Sequence, residues 1–415
     1  MSKKLTRKSF LKLLAAGMGS APFIGNSFGQ SGPRSVIIVG GGIAGLAAND
    51  VLRAAGVHTI LLEARSRIGG RIWTDSEKRD LGASWIHGRT GNPLMELVRR
   101  TGARTFSFNY DNIWRYDQRG AISDSAERRI EGDMDDIEDA IEEAQSSASI
   151  SAALSSVTGA EIKSLSASRR NGARYAVSTG IVHEYAEDPK SFSLRHFDDG
   201  AEKVGGDLLL PNGYADLLGA QRMPSESYLN CVVSQIAHSL TGVTVTTSRG
   251  NFTAQAAIVT LPLGVLKSNS VRFVPALPLS HSNAINRIGF GTLNKIYLTF
   301  PQLAWPRDPH LFGYVGNGLL EECVNLFPFT GRPVLLGFNA DAIARNSESS
   351  SDSQLVAGAM AVLRNMFGRS LLNPISSVVT RWSRDPFARG SYSCLAPGSS
   401  PMDRSTLAMP ISPRL

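Results

Sequence analysis

Three glycines near the start of the chain have the spacing of a phosphate-binding turn. Residues 40–45 have the sequence GGGIAG, in which Gly40, Gly42 and Gly45 form a G-x-G-x-x-G motif. In such a motif the first glycine makes the turn, the second lets a pyrophosphate approach the backbone, and the third lets helix and strand pack closely. A helix that begins here also directs its unpaired N–H groups at the phosphates. The motif therefore predicts a dinucleotide site.

An acidic residue stands where such a site needs one. The mostly apolar residues 35–39 and 57–62 predict two buried strands, and residues 43–55 between them have helical character. Glu63 directly follows the second strand of this βαβ unit, where a carboxylate accepts hydrogen bonds from ribose hydroxyls. The same carboxylate disfavours a 2′-phosphate, because two negative charges would face each other.

The residues after this acid favour FAD over NAD. Residues 63–71 have the sequence EARSRIGGR, in which paired glycines let the chain cross near the phosphates and Arg71 can neutralise them. An arginine-rich surface turn is an alternative for Arg67 alone, but it does not account for the whole stretch. The whole stretch resembles the FAD-binding signature of the flavin amine oxidase family. The resemblance adds these candidate FAD ligands: Arg65, Gly69, Gly70 and Arg71.

Further motifs extend the resemblance to most of the chain. They follow in family order and are similar to the polyamine-oxidase and flavin histone-demethylase branch. The matching blocks are residues 81–88 with 92–93, 211–214, 260–267, 291–295, 382–386 and 390–393. From the first block and from a later strand, the resemblance implies these further FAD contacts: Gly82, Ala83, Ser84, Trp85 and Val233.

The resemblance implies a reaction centre made by three side chains. Lys295 would hold a water against flavin N5, although a strand-end lysine that reaches solvent is the alternative. His87 would bind the substrate amine or tune its protonation, and its alternative is a structural hydrogen bond. Tyr392 would form an aromatic wall beside the flavin.

The resemblance implies oxidation of an amine to an imine by FAD. Oxygen would then reoxidise the flavin and give hydrogen peroxide, with a polyamine or another primary or secondary amine as substrate. No protein nucleophile is needed, because the cofactor carries the difficult step. An L-amino-acid oxidase or a desaturase on the same scaffold, and an inactive relative without bound FAD, remain alternatives.

The order of predicted elements indicates an α/β protein with two interleaved domains. We expect a Rossmann-like FAD-binding domain over residues 34–98, 200–280 and 381–415, and an α+β substrate domain over residues 99–199 and 281–380. Members of the family continue past the point that corresponds to Leu415 with an F-A-G-E segment. We therefore expect part of the FAD-binding domain to be missing here.

Composition excludes several other classes of protein. Of the 415 residues, 42% are hydrophobic and 19% are charged, as in soluble globular proteins. The net charge of +7 is scattered and is not interleaved with stacking aromatics, which argues against nucleic-acid binding. Cys231, Cys323 and Cys394 form no Cys-x-x-Cys pair, so neither a zinc knuckle nor a disulfide scaffold is expected. We expect no metal and no membrane span.

The first 30 residues have the parts of an export signal. Basic residues precede a short apolar stretch, residues 11–16, which is followed by small residues. The neighbourhood of Arg7 and Lys8 is similar to a twin-arginine signal, with Lys8 in place of the second arginine. We therefore expect export, to a periplasmic location. An uncleaved tail on a cytoplasmic protein is the alternative.

Overall fold

The computed structural model describes residues 34–197 and 204–415. The export signal expected over residues 1–30 lies outside this part of the chain. The described strands are, in chain order, β1 Ser35–Val39, β2 His58–Leu62, β3 Trp85–Ile86, β4 Phe106–Phe108, β5 Ile113–Asp117, β6 Gly120–Ala121, β7 Asp207–Leu209, β8 Glu226–Tyr228, β9 Val233–His238, β10 Val243–Thr247, β11 Gly250–Ala254, β12 Ala256–Val259, β13 Arg272–Val274, β14 Gly289–Gly291, β15 Leu293–Thr299, β16 Leu311–Tyr314, β17 Glu322–Asn325, β18 Val334–Ala340, β19 Ser376–Val379 and β20 Tyr392–Cys394.

The helices alternate with these strands. The α-helices of the described residues are α1 Ile43–Ala54, α2 Leu94–Thr101, α3 Asp124–Gln145, α4 Ser155–Ser164, α5 Arg170–Val177, α6 His183–Tyr185, α7 Leu263–Lys267, α8 Leu279–Arg287, α9 Phe327–Thr330, α10 Asp341–Ser347, α11 Asp352–Phe367 and α12 Pro401–Ala408. A π-helical turn, Ser178–Val182, joins α5 to α6, and 3₁₀ turns cover Pro189–Ser191 and Tyr214–Ala220.

A parallel sheet carries the glycine motif. Its strands lie in the order β12-β1-β2-β8, and β1 pairs in parallel with both β2 and β12. β1 is a short run of valine and isoleucine whose side chains are almost all buried, as expected for a strand covered on both faces. α1 connects β1 to β2 and thereby forms the predicted βαβ unit. The predicted bounds differ from the observed ones by one residue at most.

A second, larger sheet supports the lysine of the predicted reaction centre. Its strands lie in the order β19-β15-β18-β17-β16-β5-β6. Because side chains alternate along a strand, β15 sends Ile296 and Leu298 into one core, which α11 covers. Lys295 and Tyr297 point to the opposite face, toward the cluster that contains Leu81. The alternation of side chains along β15 thus determines which way Lys295 points.

A helical layer closes one side of the molecule. α3 has an exposed acidic face and buries Ile130, Ile137 and Ile141, as its helical spacing predicts. Ser123 caps its first turn by accepting from Ala126 N. Residues 146–168 contain one α-helix, α4.

The mixture of parallel and antiparallel sheets with covering helices confirms the predicted α/β class. Among the described helices, none combines the length and the apolar character needed to cross a membrane. Within the same residues, no cluster of histidine, cysteine and carboxylate side chains is arranged to hold a metal ion.

Candidate active site

The glycine motif forms a tight turn between β1 and α1. Gly40 has a φ of +106°, a conformation that side chains other than glycine rarely adopt. A Cβ at Gly45 would lie 2.0 Å from the carbonyl oxygen of Gly40, so only glycine permits this helix to pack against the turn. Gly69 N donates to Gly41 O at 2.7 Å, which brings the second glycine-rich loop against the first. The two loops therefore form one backbone cradle.

The carboxylate of Glu63 is fixed at the edge of this cradle. Oε2 accepts from Gly41 N at 2.7 Å, and Oε1 accepts from Arg65 N at 2.8 Å. Each carboxylate oxygen has a second lone pair, so the group can also accept from ribose hydroxyls. Glu63 is therefore a fixed acceptor at the edge of the cradle.

The arginines of the second loop have different partners. Arg65 pairs with Asp385 at 2.9 Å, which joins the loop to a distant part of the chain. Arg67 lies over the ring of Trp73, with 4.6 Å from its guanidinium carbon to the ring centroid. Arg71 donates to the carbonyl oxygen of Ser391 at 2.5 Å, and burial lowers its pKa. Arg71 is thus held by the backbone of a distant segment of the chain.

One cavity of about 1470 Å³ brings the predicted site residues together. It is lined by these predicted FAD ligands: Gly40, Gly42, Glu63, Arg65, Gly69, Gly70, Arg71, Gly82, Ala83, Ser84, Trp85 and Val233. Lys295, His87 and Tyr392 line the same cavity. Gly45 does not line it and acts instead through the packing of α1. The residues predicted to bind a nucleotide and those predicted to react therefore share one space.

Lys295 is held by protein acceptors. Its Nζ donates to the carbonyl oxygens of Asp80 at 2.8 Å and Gly82 at 2.6 Å, and also to Ser84 Oγ. The side chain is 3% exposed, which rules out the solvent-reaching lysine that its strand pattern left open. Burial lowers the pKa of Lys295, and the nearby charge of Asp80 opposes that shift in part.

His87 belongs to a buried hydrogen-bonded cluster. Its Nδ1 lies 2.7 Å from Asp207 Oδ2, and the hydroxyl of Tyr110 donates to the same oxygen at 3.1 Å. Gly88 N donates to Asp207 Oδ1 at 2.9 Å. Burial alone would lower the pKa of His87, but the hydrogen bond and charge of Asp207 outweigh burial and raise it.

Several polar side chains of the cavity were not predicted from the sequence. Glu184 and Glu322 line it, and so does His183, whose Nδ1 lies 3.9 Å from Glu322 Oε2 without a hydrogen-bond partner among the described residues. His183 and Glu184 directly follow the π-helical turn, a feature that is frequent at functional sites. Glu322 offered one signal, because this carboxylate directly precedes the apolar pair Cys323 and Val324 of a buried strand.

Aromatic rings form another part of the wall. Trp85 and Phe338 have ring centroids 5.9 Å apart, and Tyr392 donates from its hydroxyl to the carbonyl oxygen of His183 at 3.2 Å. Burial raises the pKa of Tyr392, so its hydroxyl stays protonated. Carboxylates and aromatic rings together make a wall suited to a cation with an apolar chain.

A family model described as "Flavin containing amine oxidoreductase" matches residues 43–415 of the chain. The chain belongs to this family. This flavin-containing amine oxidoreductase is 33% identical over 385 residues to "Polyamine oxidase 4" of Oryza sativa subsp. japonica. The matched region covers 87% of this chain and 78% of that protein. It is 30% identical over 403 residues to "Protein FLOWERING LOCUS D" of Arabidopsis thaliana, covering 91% of this chain and 51% of that protein.

Solved structures share the fold of this flavin-containing amine oxidoreductase. Wild-type putrescine oxidase bound to putrescine superposes with a TM-score of 0.71 and 18% identity over 92% of both chains. The predicted resemblance to the polyamine-oxidase and histone-demethylase branch is thus confirmed, and so is the predicted enzyme class. FAD is the cofactor of the family, as predicted.

The residues of the cavity fit FAD. The cradle between residues 40–45 and 69–70 leaves no room for a Cβ at Gly45, and the carboxylate of Glu63 is fixed for a ribose. Arg71 supplies a positive charge at the wall of the cavity. When bound, FAD accepts two electrons and a hydrogen from the substrate carbon, and the protein orients the substrate and excludes water.

Proposed function

We propose that this flavin-containing amine oxidoreductase oxidises polyamines or related primary and secondary amines. The α-carbon loses a hydrogen and two electrons to FAD, and the resulting imine is hydrolysed by water. Oxygen takes up the two electrons with two protons and becomes hydrogen peroxide. The observation that carries this proposal is the single cavity that runs from the glycine cradle to a wall with Glu184 and Glu322.

The charge of that wall supports a cationic substrate. Polyamines carry ammonium groups at neutral pH, and each group gains from a carboxylate that has been removed from water. The substrate of an amino-acid oxidase also carries a carboxylate, which Glu184 and Glu322 would repel. The wall therefore favours an amine without an acidic group.

Each reaction-centre residue has a proposed role. Lys295 assists the reaction with oxygen, through a water that its amine holds near the flavin. Tyr392, with Trp85 and Phe338, confines the apolar chain of the substrate. His87 binds the nitrogen of the substrate amine.

Anaerobic mixing with candidate substrates tests this function. The FAD-loaded protein is mixed with putrescine, spermidine, tyramine or leucine, and the visible flavin absorbance is followed. We expect spermidine or putrescine to bleach the flavin fastest, and air to restore the colour with release of peroxide. Bleaching by leucine alone would favour an amino-acid oxidase, and no bleaching by any amine would contradict the proposal.

We also propose the interleaved domain division and the export described above. Limited proteolysis tests the first, since cleavage should fall near residues 98, 280 and 380 before the sheets are cut. Fractionation of cells that express the complete chain tests the second. Recovery in the cytoplasmic fraction alone, with residues 1–30 retained, would contradict export.

A further inference from the structure

We propose that Asp207 is a positioning residue that fixes the tautomer of His87, so that Nε2 of this imidazole accepts a proton from the substrate ammonium. The proposal rests on the proposed function for the identity of the proton donor. The arrangement of the two side chains does not depend on it.

The hydrogen bonds around Asp207 leave one tautomer of His87. Both oxygens of the carboxylate accept from other donors, Gly88 N at 2.9 Å and the Tyr110 hydroxyl at 3.1 Å. Burial would raise the pKa of Asp207, but the hydrogen bonds and charge around it lower the pKa, so it is an anion and an acceptor only. The proton between it and His87, 2.7 Å apart, must therefore sit on Nδ1. Nε2 remains as the ring nitrogen that can meet a ligand in the cavity.

The charges that face His87 make it a stronger proton acceptor than a free imidazole. They come from two separate elements: Asp207 begins β7, and Glu184 lies in α6. The neutral hydroxyl of Tyr110, between β4 and β5, donates to Asp207. Asp207 and Glu184 both raise the pKa of His87 against the effect of burial. The positive imidazolium that forms after proton uptake is thus stabilised by these two carboxylates.

The proton step is chemically required at this point of the reaction. An ammonium nitrogen has no lone pair, so it cannot form the C=N bond of an imine until it loses a proton. In the step proposed here the N–H bond of the ammonium breaks, the nitrogen keeps the electron pair, and a new N–H bond forms at His87 Nε2. No atom is oxidised or reduced in this transfer. Proton release to solvent then resets the imidazole.

Replacement of Asp207 by asparagine has a specific predicted result. Gly88 N–H is a fixed backbone donor and requires an oxygen opposite it, so the amide oxygen of Asn will face Gly88. The amide NH₂ group will then face His87 and donate to Nδ1. The ring proton moves to Nε2, which turns from an acceptor into a donor. Asp207→Asn therefore removes the proton acceptor without removing the histidine.

The chain contains a matched control outside the cavity. His58 Nε2 lies 2.9 Å from Glu226 Oε1, and the hydroxyl of Tyr228 donates to Glu226 at 2.7 Å. This exposed group has the same composition of histidine, carboxylate and tyrosine. Glu226→Gln makes the same chemical change as Asp207→Asn, in a place that meets no substrate.

Two measurements on the FAD-loaded protein test the proposal. The chain has 7 histidines, and ¹⁵N-histidine labelling with assignment by His87→Gln reports which ring nitrogen carries the proton. Anaerobic flavin reduction by spermidine from pH 6 to 10 reports the rate. We expect Asp207→Asn to move the His87 proton to Nε2 and to lower the plateau rate about 10²-fold, the usual contribution of a general base. Asp207→Glu, which keeps a carboxylate, should retain the tautomer and recover most of the rate.

The outcomes separate the proposal from the proposed function. An unchanged tautomer in Asp207→Asn, or equal rates in Asp207→Asn and Glu226→Gln, would overturn the positioning role. Equal losses in Asp207→Asn and Asp207→Glu with an unchanged tautomer would also overturn it and indicate a packing role. If no amine reduces the flavin of the wild type, the proposed function fails, and the tautomer measurement alone decides the role of Asp207.

Discussion

Lys295 Nζ lies 2.6 Å from the carbonyl oxygen of Gly82, 213 residues earlier in the chain. The contact joins β15 of the larger sheet to the loop that follows the FAD-binding motif. A buried ammonium without acceptors would be costly, so these carbonyls help to hold the lysine at the cavity wall. The side chain of Lys295, on the larger sheet, is thereby positioned by the backbone carbonyl groups of Asp80 and Gly82.

Replacement of this lysine should separate the two halves of the catalytic cycle. In Lys295→Met we expect flavin reoxidation by oxygen to slow by about 10²-fold, since one group that stabilises developing negative charge is lost. Reduction by the amine should change much less. Stopped-flow absorbance measures both rates.

The control for this prediction is Lys267→Met. Lys267 donates to the carbonyl oxygen of Asn286 at 2.9 Å and does not line the cavity. The Lys267→Met substitution should leave the rates of flavin reduction and reoxidation unchanged. Equal slowing of reduction and reoxidation in Lys295→Met would contradict the role in oxygen chemistry.

The packing of α1 against the glycine turn predicts a large effect from one methyl group. Gly45→Ala places a Cβ 2.0 Å from the carbonyl oxygen of Gly40, so the helix must move away and the cradle must open. We expect a lower melting temperature and loss of FAD on gel filtration. Gly159→Ala, in α4, meets no atom within 4 Å and should stabilise the helix by about 1 kcal/mol at most. Retention of FAD by Gly45→Ala would show that the turn tolerates the change.

The fixed carboxylate of Glu63 predicts weaker FAD binding in Glu63→Gln. The amide keeps the shape, but its NH₂ group must face Gly41 N–H or Arg65 N–H, both of which are donors. Loss of one such contact and of a ribose acceptor should weaken binding by about tenfold or more. Fluorescence titration of the apoprotein with FAD measures the change. Glu226→Gln, on a neighbouring strand, should bind FAD as the wild type does.

Glu322 should distinguish diamines from monoamines. If this carboxylate meets a remote ammonium, Glu322→Gln should raise the KM for putrescine by about tenfold, the value of one charge-assisted contact. Butylamine has the same carbon chain without the second nitrogen, and its KM should not change. Initial rates of peroxide release measure both. A parallel rise for the two amines would indicate a general effect on the cavity.

The pair of His87 and Asp207 predicts a pH dependence of stability. Folding raises the pKa of His87 above 6.5. The contribution of His87 to the free energy of unfolding is therefore complete below pH 6.5 and is lost as the pH rises through the pKa of the folded state. Folding lowers the pKa of Asp207 below 3.8. The contribution of Asp207 to the free energy of unfolding is therefore present above pH 3.8 and is lost in stronger acid. Asp207→Asn should therefore melt several degrees below the wild type at pH 6, with a smaller gap at pH 9. Calorimetry at both pH values checks this, and a gap that widens at pH 9 would contradict it.

The local part of the site was predictable from the sequence. β1, α1 and β2 follow from short apolar runs and glycines whose roles depend on neighbours within about 30 residues, as in any βαβ unit. Glu63 was placed for the same local reason. For Lys295 the strand pattern alone left two interpretations open, a lysine that reaches solvent and a buried one, and only the packed structure decides between them.

The substrate end of the cavity was not predictable in the same way. Asp207, Glu184 and Glu322 come from three elements that are far apart in the chain, and no spacing relates them. Only after these elements have packed do Glu184 and Glu322 line one cavity, while Asp207 contacts His87, which lines the same cavity. Residues 146–168 were also ambiguous, since serine and alanine give little hydrophobic periodicity.

The lining of the cavity extends from Val39 to Pro410. A ligand held by such a wall binds the folded chain and has little affinity for the unfolded one. By mass action, free FAD at 100 times its Kd adds about 2.7 kcal/mol to the free energy of unfolding. The melting temperature should therefore depend on the FAD concentration, and the yellow colour should be lost in the same transition as the secondary structure.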